Sequence, residues 1–167
     1  PGIDLREGGM TMGAMVSDPQ RDRAEGMCRD AVAEGATLAT GGHRLNREGS
    51  FHEATVVTGV PPDMTIAREE VFGPVLSVLA VDSDDEAIAV ANSTEYGLVG
   101  GVFTADLDRA TRAVRRIRAG QVFVNEWFAG GVETPFGGYG KSGYGREKGR
   151  EALMNYVQTK NIAIRMS

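Results

Sequence analysis

Apolar residues recur along the chain with two periods, one helical and one strand-like. Ala24, Met27, Cys28, Ala31 and Val32 fall at i, i+3, i+4, i+7 and i+8, a stripe on one face of a helix. Ser17 and Gln20 have the spacing of a capping box, Pro19 is tolerated in a first turn, and Gly35 supplies a stop. Residues 37–40 and 54–60 are short β-prone runs bounded by Gly41-Gly42 and Pro61-Pro62. Residues 74–81 are nearly continuous in Val, Leu and Ala, the pattern of a strand covered on both faces. A capping box at Ser83 and Glu86 opens a helix to about Asn92, and residues 98–104 form the next strand. Asp106 caps a further helix with Leu107, Ala110, Val114 and Ile117 on one stripe, which Gly120 ends before a strand at 121–125.

Strand, helix, strand, helix, strand with short connections predicts an α/β fold with a parallel sheet and flanking helices. Ligands of such sheets meet the loops at the carboxyl ends of the strands. The loop after Asn125 is long, rich in glycine and aromatic, and a loop of that length in a compact domain is usually functional. Residues 1–16 read as loop, and a short helix near 148–154 precedes a β-prone tail, 156–166, which needs a partner edge, expected from another subunit.

Composition narrows the class. The chain has 167 residues, 41% hydrophobic and 25% charged, as in an ordinary globular domain. A net charge of −5 with interspersed signs gives no footprint for nucleic acid or an anionic membrane, and no apolar run nears the ~20 residues of a membrane span. A single cysteine, Cys28, excludes an internal disulfide and fits a reducing, cytoplasmic setting. The first residue is not Met, so a longer native chain is expected.

Several motifs have plain structural readings. Residues 138–143 satisfy G-x-G-x-x-G, and Gly140-Lys141-Ser142 imitates the end of a P-loop, but the P-loop's first glycine falls at Pro135 and the strand–loop–helix context is absent. Cys28 lies mid-helix on the apolar stripe, which makes it an inert buried thiol. His43 and His52 flank a turn without a third ligand at metal spacing, so they read as surface residues and no metal is expected. The arginines at 112, 115, 116 and 118 read as a solvated face. Glu69 and Glu70 are the stronger case, because a carboxylate in a loop at a strand edge can accept two hydrogen bonds from a ribose diol while Phe72 lies against a flat ring.

Co-ordered motifs then carry a family resemblance: MGAMVS, EGATLATGG, MTIAREEVFGPV, ANSTEYGL, AGQVFVN and TPFGGYGKSGYGRE. Together they resemble the C-terminal third of the aldehyde dehydrogenase superfamily over essentially the whole chain. The resemblance implies residues 1–155 as part of a catalytic domain, lacking the Rossmann domain and nucleophile loop, and residues 156–167 as an oligomerisation strand. It implies an NAD(P)-dependent enzyme that oxidises a small-molecule aldehyde to a carboxylate through a cysteine thioester, assembled as a homodimer or homotetramer. By the same resemblance Glu70 holds the ribose beside the nicotinamide of NAD or NADP, and Phe72 packs beside that ring. Phe136 lines the aldehyde tunnel, Trp127, Phe128 and Gly130 belong to its mouth, and Glu147 assists proton movement near the nucleophile. Asn125 and the loop glycines are structural. Ala54-Thr55 and Gly13-Ala14 depart from the family's Pro-Thr and Gly-Pro, and Cys28 follows the family nucleophile in order and does not replace it. The alternative is a non-catalytic scaffold or dimerisation module of the same fold.

Overall fold

The computed structural model of the chain describes residues 12–127 and 130–166. It forms two compact units, Pro1–Ser83 and Asp84–Ser167.

In the first unit, helix α1 (Asp18–Ala33) starts where Ser17, with extended backbone, accepts the Gln20 N–H at 3.4 Å. The helix ends in a Schellman motif: Gly35 N–H donates to the Val32 carbonyl and Ala36 N–H to the Ala31 carbonyl, with Gly35 at φ 107°. Most of the expected stripe faces inward, for Ala24, Cys28 and Ala31 are buried and Met27 is half-buried, but Val32 at its end is exposed. Strands β1 (Thr37–Thr40) and β2 (Thr55–Thr58) pair antiparallel, Thr37 opposite Thr58, and β3 (Val75–Val78) pairs parallel to β2, Thr55 opposite Val75. The crossover from β2 to β3 carries α2 (Thr65–Arg68), a single turn that buries Ile66. Cys28, Ala31, Val57, Val60, Met64 and Ile66 close into one core, with Val71, Val75 and Leu79 packed on it. That four-residue turn is too short for a periodicity to reveal, and the sequence reading misses it.

In the second unit, α3 (Asp84–Ala91) is followed by β4 (Val99–Val102), α4 (Leu107–Arg116) and β5 (Gln121–Val124), with β4 and β5 parallel and Val99 opposite Gln121. Among its described residues Ile88, Ala110, Ala113 and Phe123 form the buried apolar set. The arginines of α4 are not merely solvated: Arg109 Nε lies 2.7 Å and Arg112 Nη2 3.4 Å from Asp84 Oδ2, and Arg116 pairs with Asp85, so α4 is tied to α3 by charge.

The α/β class with parallel pairing is observed, and five details differ from expectation. Strand β3 is covered on one face only, with Leu76 and Val78 exposed on the other. The strands form two sheets, ordered β1-β2-β3 and β4-β5, rather than one run through β3, β4 and β5. The helix near 148–154 is a 3-10 helix, Glu151–Tyr156. Residues 157–166 join no ladder, since an isolated β-prone segment has no edge to complete its hydrogen bonds. His52 is buried, 2% exposed, at an antiparallel bridge to Arg44; its Nδ1 lies 2.8 Å from the Glu53 carbonyl, which can only accept, so Nδ1 carries the proton. Cys28 is a buried thiol raised above its ordinary pKa by burial and then by Glu25, the inert state expected for it. Among the described residues no helix is long and apolar enough to cross a membrane.

Asp106 caps α4, accepting the Arg109 N–H at 2.9 Å, and this bond holds its carboxyl below the usual carboxylate range. Its contribution to stability is therefore complete above the unfolded pKa of about 3.9 and is lost as pH falls through the depressed folded value. Asp106→Asn keeps an acceptor without a titrating proton. Acid unfolding followed by circular dichroism below about pH 4 should accordingly be shallower in the variant than in the parent.

Candidate functional site

The residues singled out by sequence fall into two sets, one in each unit. The first lies in the loop between α2 and β3, at the amino end of β3 rather than at a strand's carboxyl end. Within that loop Val71 packs on the core while Glu69, Glu70 and Phe72 are exposed. Phe72 is 73% exposed and sits at φ 51°, a left-handed conformation that is an outlier for a bulky residue and clusters at functional sites.

Helix α1 holds this loop by its backbone. Gln20 Nε2 donates to the Val71 carbonyl at 2.8 Å and the Phe72 carbonyl at 3.3 Å. Arg23 Nη1 donates to the Glu70 carbonyl at 3.0 Å and the Val71 carbonyl at 3.2 Å, and Nη2 pairs with Glu69 Oε2 at 3.0 Å. The reach is short because Gly73 lies against the helix: a Cβ there would stand 3.1 Å from Met15 Cε and 3.2 Å from the Ala24 Cβ. Of the two acids, Glu69 is thus paired. Among the described residues the Glu70 carboxylate has no hydrogen-bond or ion-pair partner. Sequence reasoning gave Gln20 a capping-box role and Arg23 none. Their i, i+3 spacing shows a shared helix face, but no local signal names a partner about 50 residues away.

The second set follows β5. Asn125, at φ 55°, donates Nδ2–H to the Thr104 carbonyl at 2.8 Å and accepts the Thr104 N–H on Oδ1 at 2.8 Å, acting as one more peptide group in the β4–β5 ladder. Trp127 is 60% exposed, with its ring centroid 6.2 Å from that of Phe123 at 60°. It also lies over Gly101, where a Cβ would be 2.9 Å from Trp127 Cζ3. Gly130, at φ 100°, opens a turn whose Thr134 hydroxyl donates to the Gly131 carbonyl at 2.9 Å. Phe128 lies outside the described residues.

Phe136 and Glu147 are brought together by a two-bond antiparallel bridge, each N–H donating to the other's carbonyl at 2.7 Å. Glu147 is exposed and Phe136 half-buried, with Lys148 Nζ 5.5 Å from the Phe136 ring centroid. The GYGKSG segment is docked on residues 95–97: Lys141 N–H donates to the Glu95 carbonyl at 2.8 Å, Lys141 Nζ pairs with Glu95, and the Ser142 hydroxyl accepts the Gly97 N–H at 3.1 Å. The lysine and serine that a phosphate cradle would use are committed to this docking.

The profile of the Aldehyde dehydrogenase family matches residues 3–162. This chain belongs to the aldehyde dehydrogenase family. Over 158 residues it is 48% identical to the betaine aldehyde dehydrogenase of Rhizobium leguminosarum bv. trifolii, covering 93% of this chain and 32% of that protein. Over 159 residues it is 48% identical to the betaine aldehyde dehydrogenase of Brucella anthropi, covering 93% and 33%. Among solved structures it is similar to an NAD-dependent aldehyde dehydrogenase from Sinorhizobium meliloti, with a TM-score of 0.88 and 44% identity over 90% of this chain and 30% of that one. It is likewise similar to the betaine aldehyde dehydrogenase of Staphylococcus aureus in complex with NAD+, with a TM-score of 0.84 and 41% identity over 88% and 30%. The chain spans about a third of the length of the curated relatives it matches. Its expected place at the C-terminal end of an aldehyde dehydrogenase rests on the sequence motifs alone.

The left-handed Phe72 yields a stability test. A non-glycine residue in that region costs about 1–2 kcal/mol, and a ring this exposed returns little by packing. Phe72→Gly should therefore be as stable as the parent or more so, by up to about 1 kcal/mol in urea unfolding at unchanged m-value. A clear loss would show that the ring is packing rather than presented.

Proposed function

We propose that this chain is part of an NAD(P)-dependent aldehyde dehydrogenase that oxidises an aldehyde to a carboxylate, and that its first unit supplies contacts to the cofactor's ribose and nicotinamide. The observation that carries this reading is the pairing on one loop of an uncommitted exposed carboxylate, Glu70, with an exposed aromatic ring, Phe72, in a chain of this family. A carboxylate with free lone pairs suits a vicinal diol and an uncovered ring suits a flat heterocycle, so the residues fit the nicotinamide half of NAD(P). When bound, that group accepts the hydride from the substrate. Glu70 fixes the sugar, Phe72 limits the tilt of the ring, and such orientation contributes to the rate without a chemical step at either side chain.

In the second unit, Trp127, Phe128 and Gly130 shape the mouth of the aldehyde site, Phe136 lines it, and Glu147 moves a proton. The two-bond bridge fixes Phe136 and Glu147 as backbone neighbours, which supports a shared site for them. The exposed tail beyond Tyr156 supports a subunit contact in a homodimer or homotetramer.

Glu70→Gln in the full-length enzyme should slow single-turnover NAD(P)H formation on the order of tenfold, with a smaller change in aldehyde binding. Unchanged single-turnover kinetics would remove Glu70 from the cofactor site.

The names of the relatives favour a specific aldehyde. Betaine aldehyde carries a quaternary ammonium, which aromatic faces hold by cation–π attraction, and Trp127 presents such a face. Trp127→Ala should raise KM for betaine aldehyde by about 3- to 30-fold more than for an uncharged aldehyde of similar length. Equal changes for the two substrates would assign Trp127 to general packing.

A further inference from the structure

Helix α1 carries two side chains, Gln20 and Arg23, that send four hydrogen bonds to the backbone presenting Glu70 and Phe72, and no local rule of helix formation requires them there. Gln20 could have completed the capping box with Ser17, yet its amide leaves the helix for the carbonyls of Val71 and Phe72. Arg23 could have paired with an acid on its own helix. It instead spans the carbonyls of Glu70 and Val71 and the carboxylate of Glu69. Three consecutive carbonyls of the loop thereby accept four hydrogen bonds from two nitrogens, Gln20 Nε2 and Arg23 Nη1, on side chains one turn apart. The Phe72 backbone that these bonds surround is held in a conformation a free chain avoids.

From this arrangement we infer that Gln20 and Arg23 are positioning residues for the cofactor site, acting through the loop backbone to aim Glu70 and to keep Phe72 left-handed. The inference rests on the cofactor reading of Glu70 and extends it to two residues that need not touch the cofactor. Gly73 is part of the same device, because its missing side chain lets the loop come within reach of both donors. Glu69 has a role here as well. It accepts the remaining face of the Arg23 guanidinium and so directs the other nitrogen at the backbone, leaving Glu70 as the uncommitted acid of the pair.

The test uses the full-length enzyme with two variants, Gln20→Met, nearly isosteric without the donor, and Arg23→Lys, which keeps the charge toward Glu69 but loses the fork. In the cofactor-free enzyme, amide hydrogen exchange at Glu69 and Val75, whose N–H groups donate to the Thr65 and Gly73 carbonyls at the two ends of the loop, should quicken in each variant while exchange in β2 stays unchanged. Either variant suffices if the other does not fold. In both, Kd for NAD+ by calorimetry should rise on the order of tenfold, and this loss should shrink to less than about threefold in a Glu70→Gln, Phe72→Ala background, since the effect passes through the two residues already removed. Unchanged exchange at Glu69 and Val75 overturns the inference, as does a loss of affinity that persists in full when both Glu70 and Phe72 are replaced, which would mean direct contact with the cofactor. If Glu70→Gln alone leaves NAD+ binding and hydride transfer intact, the cofactor reading fails, and the exchange measurement still decides whether the two side chains hold the loop.

Discussion

The close packing of helix α1 against the segment that leads into β3 is the constraint on which the first unit depends. Ala24 is fully buried there, and Gly73 lies opposite, where a Cβ would crowd Met15 and Ala24 at 3.1 and 3.2 Å. Two small residues bring a helix and a loop to backbone distance, which a larger pair would prevent. Close approach then makes polar side chains effective: a glutamine and an arginine on the next turns of α1 can reach main-chain carbonyls directly. The apolar stripe is thus the foundation and the polar contacts are its consequence. Val71 is the hinge between the two, since its side chain joins the core while its carbonyl receives a donor from each of the two residues.

This arrangement also separates two adjacent acids by circumstance rather than by kind. Glu69 ends the turn of α2 and meets a guanidinium, while Glu70 meets nothing among the described residues. Identical side chains one residue apart thereby differ in what they can offer a diol. The second unit uses backbone more than side chains for the same end. Its glycine-rich loop is pinned by bonds to residues 95–97, to Pro135 and across the Phe136–Glu147 bridge, so the segment keeps a defined path without a long helix or strand of its own.

Much of this was legible from the order of residues. The α1 stripe, the Asp106 cap, the short strands and the family motifs follow from local spacing, and local spacing is what periodicity reports. Partners at long range are not encoded that way. The division into two sheets depends on which edges meet, α2 is too brief to show a period, and the burial of His52 is not announced by its turn-like neighbours. Glu70 and Phe72 could be singled out because they stand in a recognisable motif. Gln20 and Arg23 could not, because a donor that leaves its helix for a distant carbonyl has the same sequence appearance as one that faces water.

The amide of Asn125 adds one rung to a ladder at the point where the peptide chain itself turns away. Because that rung needs a donor and an acceptor in one planar group, hydrolysis of the amide to a carboxylate would set two oxygens against each other at Thr104. A slow chemical change of a single side chain would then redirect the main chain just before the indole it delivers, so the ageing of this residue would be felt as a change of shape two positions downstream.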